Sequence, residues 1–150
     1  MNSMNQTLSR PARIILFCGA CLFTLGLIAG LATGAFKNPR MALSAHLEGI
    51  LNGMYMMLVA LLWSRLSWSA SAERIARWSL LWGAFVNFAA CVLAAAWGTS
   101  RMTPIAGHGH SGSALHEWLV SALFVSVGVS MLVHAGIFTW ALRPQAKLTA

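Results

Sequence analysis

The stretch IILFCGACLFTLGLIAGLATGAF, residues 14–36, decides the fold. It contains no Asp, Glu, Lys or Arg. A helix of about 20 residues, rising about 1.5 Å each, spans the roughly 30 Å hydrocarbon core of a bilayer. The stretch is longer than the roughly 7–15 apolar residues of a signal peptide, and no soluble domain follows it. Three more runs of this kind lie at about 45–66, 76–98 and 114–142, the last stopped by Pro144. Lipid offers the backbone no hydrogen bonds, so each run must be a helix. The expected fold is an all-α membrane protein, a four-transmembrane-helix bundle forming one transmembrane domain over residues 1–150. The polar tail 145–150 is expected to be disordered.

Composition agrees. Charged residues are 9% of the chain, against about a quarter in a soluble domain. Hydrophobic residues are 58% and the mean hydropathy is +0.69. The net charge of +7 suggests nucleic acid at first sight. The basic residues, however, stand singly at the ends of apolar runs, as topology signals do, so no nucleic-acid partner is expected. Arg10, Arg13, Arg65, Arg74, Arg77, Arg143 and Lys147 fall on one side, and Lys37, Arg40 and Arg101 on the other. The richer side is expected to be cytoplasmic, with both termini there, in a bacterial inner membrane. Trp63, Trp68, Trp78 and Trp140 would form an inner aromatic belt, and Trp97 and Trp118 an outer one. Cys18-x-x-Cys21 and Cys91 lie inside apolar runs, where they read as packing residues; no disulfide is inferred.

Two segments share a pattern. Ala35-Phe36-Lys37-Asn38-Pro39-Arg40-Met41 and Ala96-Trp97-Gly98-Thr99-Ser100-Arg101-Met102 both read Ala-aromatic-x-x-x-Arg-Met. Each precedes a helix that opens with His and Glu, His46/Glu48 and His116/Glu117. A duplicated helical hairpin would explain this. Gly26-x-x-x-Gly30-x-x-x-Gly34 is a small-residue ridge suited to close helix packing.

Ionisable groups inside a span cost about 2.5–3.5 kcal/mol on insertion scales and mark function by default. The second run holds the densest set, Ser44 to Tyr55. Glu48, Asn52 and Tyr55 stand at i, i+4 and i+7, one polar stripe. A carboxyl, an amide and a phenol on one face suit proton transfer on a small polar substrate. Interhelical glue is the alternative. His46, Gly49 and Gly53 share another face. Either a flat ligand lies on that open floor with the imidazole ligating it, or the glycines admit a neighbouring helix. In the loop, His108 and His110 are candidate metal ligands or solvated side chains, and His116 joins them as a further candidate. Glu117 suits the first turn of its helix, and Ser126, Ser130 and His134 form a polar line. His46 is expected to open its helix at the outer face, whereas His134 lies about 20 residues along its own, roughly 30 Å deeper. The two should not ligate one haem.

With those residues in view, the chain resembles the hydroxylaminobenzene mutases. The likeness is strongest at 35–41, at Ser44-Ala45-His46-Leu47-Glu48-Gly49-Ile50-Leu51-Asn52-Gly53-Met54, and at Ala96-Trp97-Gly98 with 102–107. Ala45-His46 with Leu51-Asn52-Gly53-Met54 is also similar to styrene oxide isomerase. The resemblance implies an isomerase acting on a small aromatic hydroxylamine. It further implies heme b as a Lewis acid on His46, substrate on Asn52, and a homotrimer in membrane lipid; the floor of Gly49 and Gly53 would lie below such a group. A non-haem metal, or no cofactor, is the alternative. Asn87 matches the family, but Cys91 stands where the isomerase has a tyrosine, and Tyr55 is the expected substitute. Glu48 would shuttle the proton. The rival classes are a non-catalytic haem-binding anchor and a small transporter, but no proline interrupts any expected span.

Overall fold

The computed structural model describes residues 8–143, and their regular structure is wholly helical. The elements are α1 (Arg10–Leu31), a 3-10 turn (Thr33–Ala35), α2 (Pro39–Trp63), α3 (Ala70–Trp97), the short α4 (Pro104–Gly107) and α5 (Ala114–Leu142). The helices α1, α2, α3 and α5 are each long and apolar enough to cross a membrane. The protein is thus an all-α membrane protein with four spans. Pro144, Lys147 and the polar tail lie outside the described residues.

Three helices start one to two turns before their apolar runs, because caps and not hydropathy set a first turn. Ser9 Oγ accepts from Ala12 N–H at 3.4 Å, with Pro11 in the opening turn. Asn38 Oδ1 accepts from Met41 N–H at 3.1 Å, and Pro39 occupies the first helical position, where its missing N–H costs nothing. Ser69 Oγ accepts from Ala72 N–H at 3.3 Å. As a result His46 does not open α2; it lies two turns inside. At the other end of α3, Gly98 takes φ +71 and stops the helix in the left-handed region that glycine tolerates.

The helices pack in the order α1–α2–α3–α5, with α1 also touching α3. Among the described residues, the α5 backbone approaches α3 alone. The α1–α2 seam is a contact between backbones. A Cβ on Gly26 would lie 2.7 Å from Ile50 N, and one on Gly53 would lie 2.7 Å from Phe23 N. Gly49 meets Gly26 in the same way. The floor that Gly49 and Gly53 were expected to open for a flat ligand is therefore filled by α1. This is the small-residue packing that brings membrane helices close.

Where the two hairpins α1–α2 and α3–α5 meet at one end, their connectors are tied together. Asn38 N–H donates to Ala95 O at 3.0 Å, and its Nδ2 donates to Ala106 O at 3.0 Å and Gly107 O at 3.2 Å. Lys37 Nζ donates to Trp97 O and Ser111 O at 3.1 and 3.3 Å. Glu117 does more than complement a helix dipole. It is buried, and its carboxylate accepts from the backbone N–H groups of Ser100, Arg101 and Gly112 at 2.9–3.2 Å. It therefore holds both ends of the loop around α4.

Trp63 departs from the expected aromatic belt. It is 1% exposed, stacks on Trp68 at 4.5 Å, and donates from Nε1 to Glu73 Oε1 at 3.1 Å. Trp78, Trp118 and Trp140 are exposed, as belt residues are.

Gly26→Ala should destabilise the protein by about 1–3 kcal/mol, because a backbone would have to move to admit the methyl. Gly128→Ala, with nothing within 4 Å of the new Cβ, should be neutral or slightly stabilising. Thermal unfolding in detergent checks the pair. Equal melting temperatures would mean the α1–α2 seam is looser than described.

Candidate functional site

Glu48 is the centre of the strongest polar cluster within the spans. Its Oε2 accepts from Asn52 Nδ2, one turn on, at 3.1 Å, and from Asn87 Nδ2 of α3 at 2.6 Å. The carboxylate is held by two amides and not by an arginine. All three residues are half-buried. Glu48 Oε1, Asn52 Oδ1 and Asn87 Oδ1 make no hydrogen bond among the described residues, yet none is sealed from contact. In lipid, polar atoms left open in this way are costly unless a ligand uses them. The cluster thus offers a carboxylate with one oxygen fixed and one free, flanked by two amide acceptors. That equipment suits proton transfer at a fixed place beside an oriented N–H or O–H.

His46 lies on a different flank. Residues 46 and 48 are about 200° apart around a helix with 3.6 residues per turn. His46 Nδ1–H donates to Gly26 O at 2.8 Å, and its ring packs over Gly30, where a Cβ would overlap it. Because Nδ1 carries the proton, Nε2 of the neutral ring is the lone-pair nitrogen. It makes no hydrogen bond among the described residues and is not sealed. An imidazole anchored at Nδ1 by a carbonyl and free at Nε2 is the donor arrangement of a single metal ligand. The residue could therefore hold a metal such as a haem iron through Nε2, although Gly49 and Gly53 line no space beside it. Within one chain, His46 faces α1 while Glu48 and Asn52 face α3, so imidazole and acid do not converge.

Tyr55 leaves the expected stripe. His134 is fully buried, and its Nδ1–H donates to Ala76 O at 2.9 Å. Its Nε2 therefore accepts, and the Tyr55 hydroxyl donates to it at 3.1 Å. The rings meet edge-on at 5.8 Å. Ser130 Oγ donates to Ser79 O at 2.9 Å, and Trp82 Nε1 donates to Ser126 Oγ at 3.2 Å. The Ser126–Ser130–His134 line is the polar seam that docks α5. With both ring nitrogens engaged, His134 has no nitrogen left for a metal. The pairing with Tyr55 was not evident from the sequence; the only signal was that line of small polar residues ending in a histidine.

The loop histidines point to separate partners. His108 Nδ1 accepts from an Arg40 guanidinium N–H at 3.1 Å, His110 Nδ1–H donates to Gly107 O at 3.1 Å, and His116 stacks on Trp97 at 4.2 Å. No group of three or more His, Cys, Asp or Glu among the described residues is arranged to hold a metal ion. The three cysteines are free thiols, with Cys91 buried one turn beyond Asn87.

Four spans with an open acid–amide cluster between α2 and α3 fit a small integral membrane enzyme. The chain belongs to the styrene oxide isomerase family, whose model matches residues 11–143. It is 41% identical over 133 residues to hydroxylaminobenzene mutase HabB of Ectopseudomonas oleovorans, covering 88% of this chain and 81% of that one. It is 36% identical over 110 residues to hydroxylaminobenzene mutase HabA of the same organism, covering 73% and 82%. No solved structure matches it. The protein is thus an isomerase, as the resemblance implied.

His134→Leu should cost about 1–3 kcal/mol by stranding the Tyr55 hydroxyl. In the double variant with Tyr55→Phe, the effects should be non-additive by at least about 0.5 kcal/mol. Strict additivity in thermal unfolding would mean the two side chains are not bonded.

Proposed function

We propose that the protein converts hydroxylaminobenzene to 2-aminophenol, in a bacterial inner membrane with both termini cytoplasmic. The reaction is a rearrangement of Bamberger type. The N–O bond breaks heterolytically, a C–O bond forms at the ortho carbon, the proton leaving that carbon is balanced by one gained at nitrogen, and no net redox change occurs. The names of the two mutase relatives support the reaction. The observation that carries it is the Glu48 carboxylate held between two amides inside the spans.

Asn52 Oδ1 accepts from the hydroxylamine and fixes its orientation. Glu48 takes the ortho proton on its free oxygen and returns it to nitrogen. The apolar surroundings exclude bulk water, which would otherwise add at the para carbon. Tyr55 stands outside the reacting set, since its proton is committed to His134. Heme b, which the family resemblance implies, would be held by His46 Nε2 and would supply a Lewis acid for the leaving oxygen. His46 and Glu48 lie on opposite flanks of α2. A homo-oligomer, a trimer by resemblance, would let the imidazole of one copy meet the acid–amide cluster of another.

The detergent-purified protein should show a Soret band that is lost or shifted in His46→Ala; active protein without such a band would remove haem from the scheme. Glu48→Gln should keep the band and lose about 100- to 10,000-fold in turnover of hydroxylaminobenzene. Full turnover to the same product would sink the shuttle role.

A further inference from the structure

At the end of α2 where the hairpin connectors meet, a groove of about 450 Å³ runs between the opening turns of that helix and residues 102–106. Its walls include Leu43, Leu47, Ile105 and Ala106, and Arg40 stands at its mouth. The hydroxyls along it are already engaged: Ser44 Oγ donates to Arg40 O at 3.2 Å, and Thr103 Oγ1 donates to Met41 Sδ at 3.6 Å. What remains is an apolar channel with one cation above it.

Among the described residues no acid pairs with that cation. Arg40 lies in the first turn of α2, where the chain enters the span, and its side chain is exposed. A guanidinium carries five N–H donors, yet its one hydrogen bond among the described residues is to His108 Nδ1. Arginine has no lone pair to offer, so the His108 ring accepts and is neutral on that nitrogen. The Glu117 carboxylate, at the same end of the bundle, is spent on the backbone of Ser100, Arg101 and Gly112. His108 is also the one non-glycine residue among those described with positive φ, at +46.

We propose that this groove binds one anionic phospholipid, with its phosphate on Arg40 and an acyl chain along Leu43, Leu47 and Ile105. Charge and position select this occupant. A neutral arylhydroxylamine would leave the cation unmatched. A second copy would bring no free carboxylate to this end, where Glu117 is spent on backbone N–H groups. A phosphate at the membrane interface, carrying a hydrocarbon tail, matches both halves of the groove.

Delipidated full-length protein titrated with phosphatidylglycerol or phosphatidylcholine of matched chains, and read by native mass spectrometry, tests this. The parent should retain phosphatidylglycerol about five-fold better, the contribution of one basic residue at a membrane surface. Arg40→Gln should remove the preference. Arg101→Gln, a cation at the same end outside the groove walls, should leave it intact. The proposal fails if Arg40→Gln keeps the preference, or if Arg101→Gln abolishes it equally, which would show diffuse charge and not a site. It fails as well if Arg40→Gln raises the fraction of associated copies while lipid retention stays the same, which would assign the groove to a subunit contact.

Discussion

The contact of Gly26 with Gly49 sets the geometry of everything around it. Two helix backbones touch there because neither carries a Cβ. That approach puts the Gly26 carbonyl within 2.8 Å of His46 Nδ1, which fixes the tautomer of the imidazole. It also fixes the rotation of α2. With Gly49 and Gly53 turned to α1, Glu48 and Asn52 stand about 100° round the helix, on the flank where Asn87 of α3 meets them. A residue with a side chain at either glycine would push the helices apart, free the histidine and loosen the acid together. One steric allowance therefore governs the setting of both the imidazole and the acid.

The second constraint is that lipid forgives no unmet polar group. Most polar side chains in the spans settle on a backbone carbonyl: Thr24 on Ala20, Ser130 on Ser79, His46 on Gly26, His134 on Ala76. The last three dock one helix on another, and of these only His46 keeps a nitrogen free. The Glu48–Asn52–Asn87 cluster is different, because each of its members keeps an oxygen free. The contrast separates glue from site more sharply than the mere presence of an ionisable residue does.

The four spans were legible because hydropathy over about 20 residues is a collective signal that no single residue can spoil. The helix starts were not, because Asn38-Pro39 and Ser69 are polar and read as loop until their capping role is weighed. Glu48 and Asn52 could be paired from i, i+4 spacing alone. Their third partner could not: which face of α3 meets α2 depends on packing, and Asn87 stood out only through family resemblance. Gly49 and Gly53 show the limit most clearly. Two glycines on one face mean open space or close contact, and the sequence holds nothing that chooses between a flat ligand and a neighbouring helix. Tyr55 misled for a related reason. At i+7 it stands at the depth of His134 on α5, and the phenol bonds there and not beside Glu48.

That last pairing bears on how this chain departs from its family. The resemblance to styrene oxide isomerase implies a tyrosine on the third span where Cys91 stands, and Tyr55 was the natural substitute. Its hydroxyl proton, however, goes to His134, whose other nitrogen is held by Ala76. The phenol donor is therefore not replaced. A thiol is smaller than a phenol and a weaker hydrogen-bond donor, so the α3 wall near Glu48 gains volume and loses a proton source. The carboxyl is then the one strong proton-transfer group left in the cluster. An epoxide opening needs a donor chiefly at oxygen. A hydroxylamine rearrangement must also carry a proton from ring carbon to nitrogen, and a carboxylate with one oxygen pinned and one free is equipped to do that.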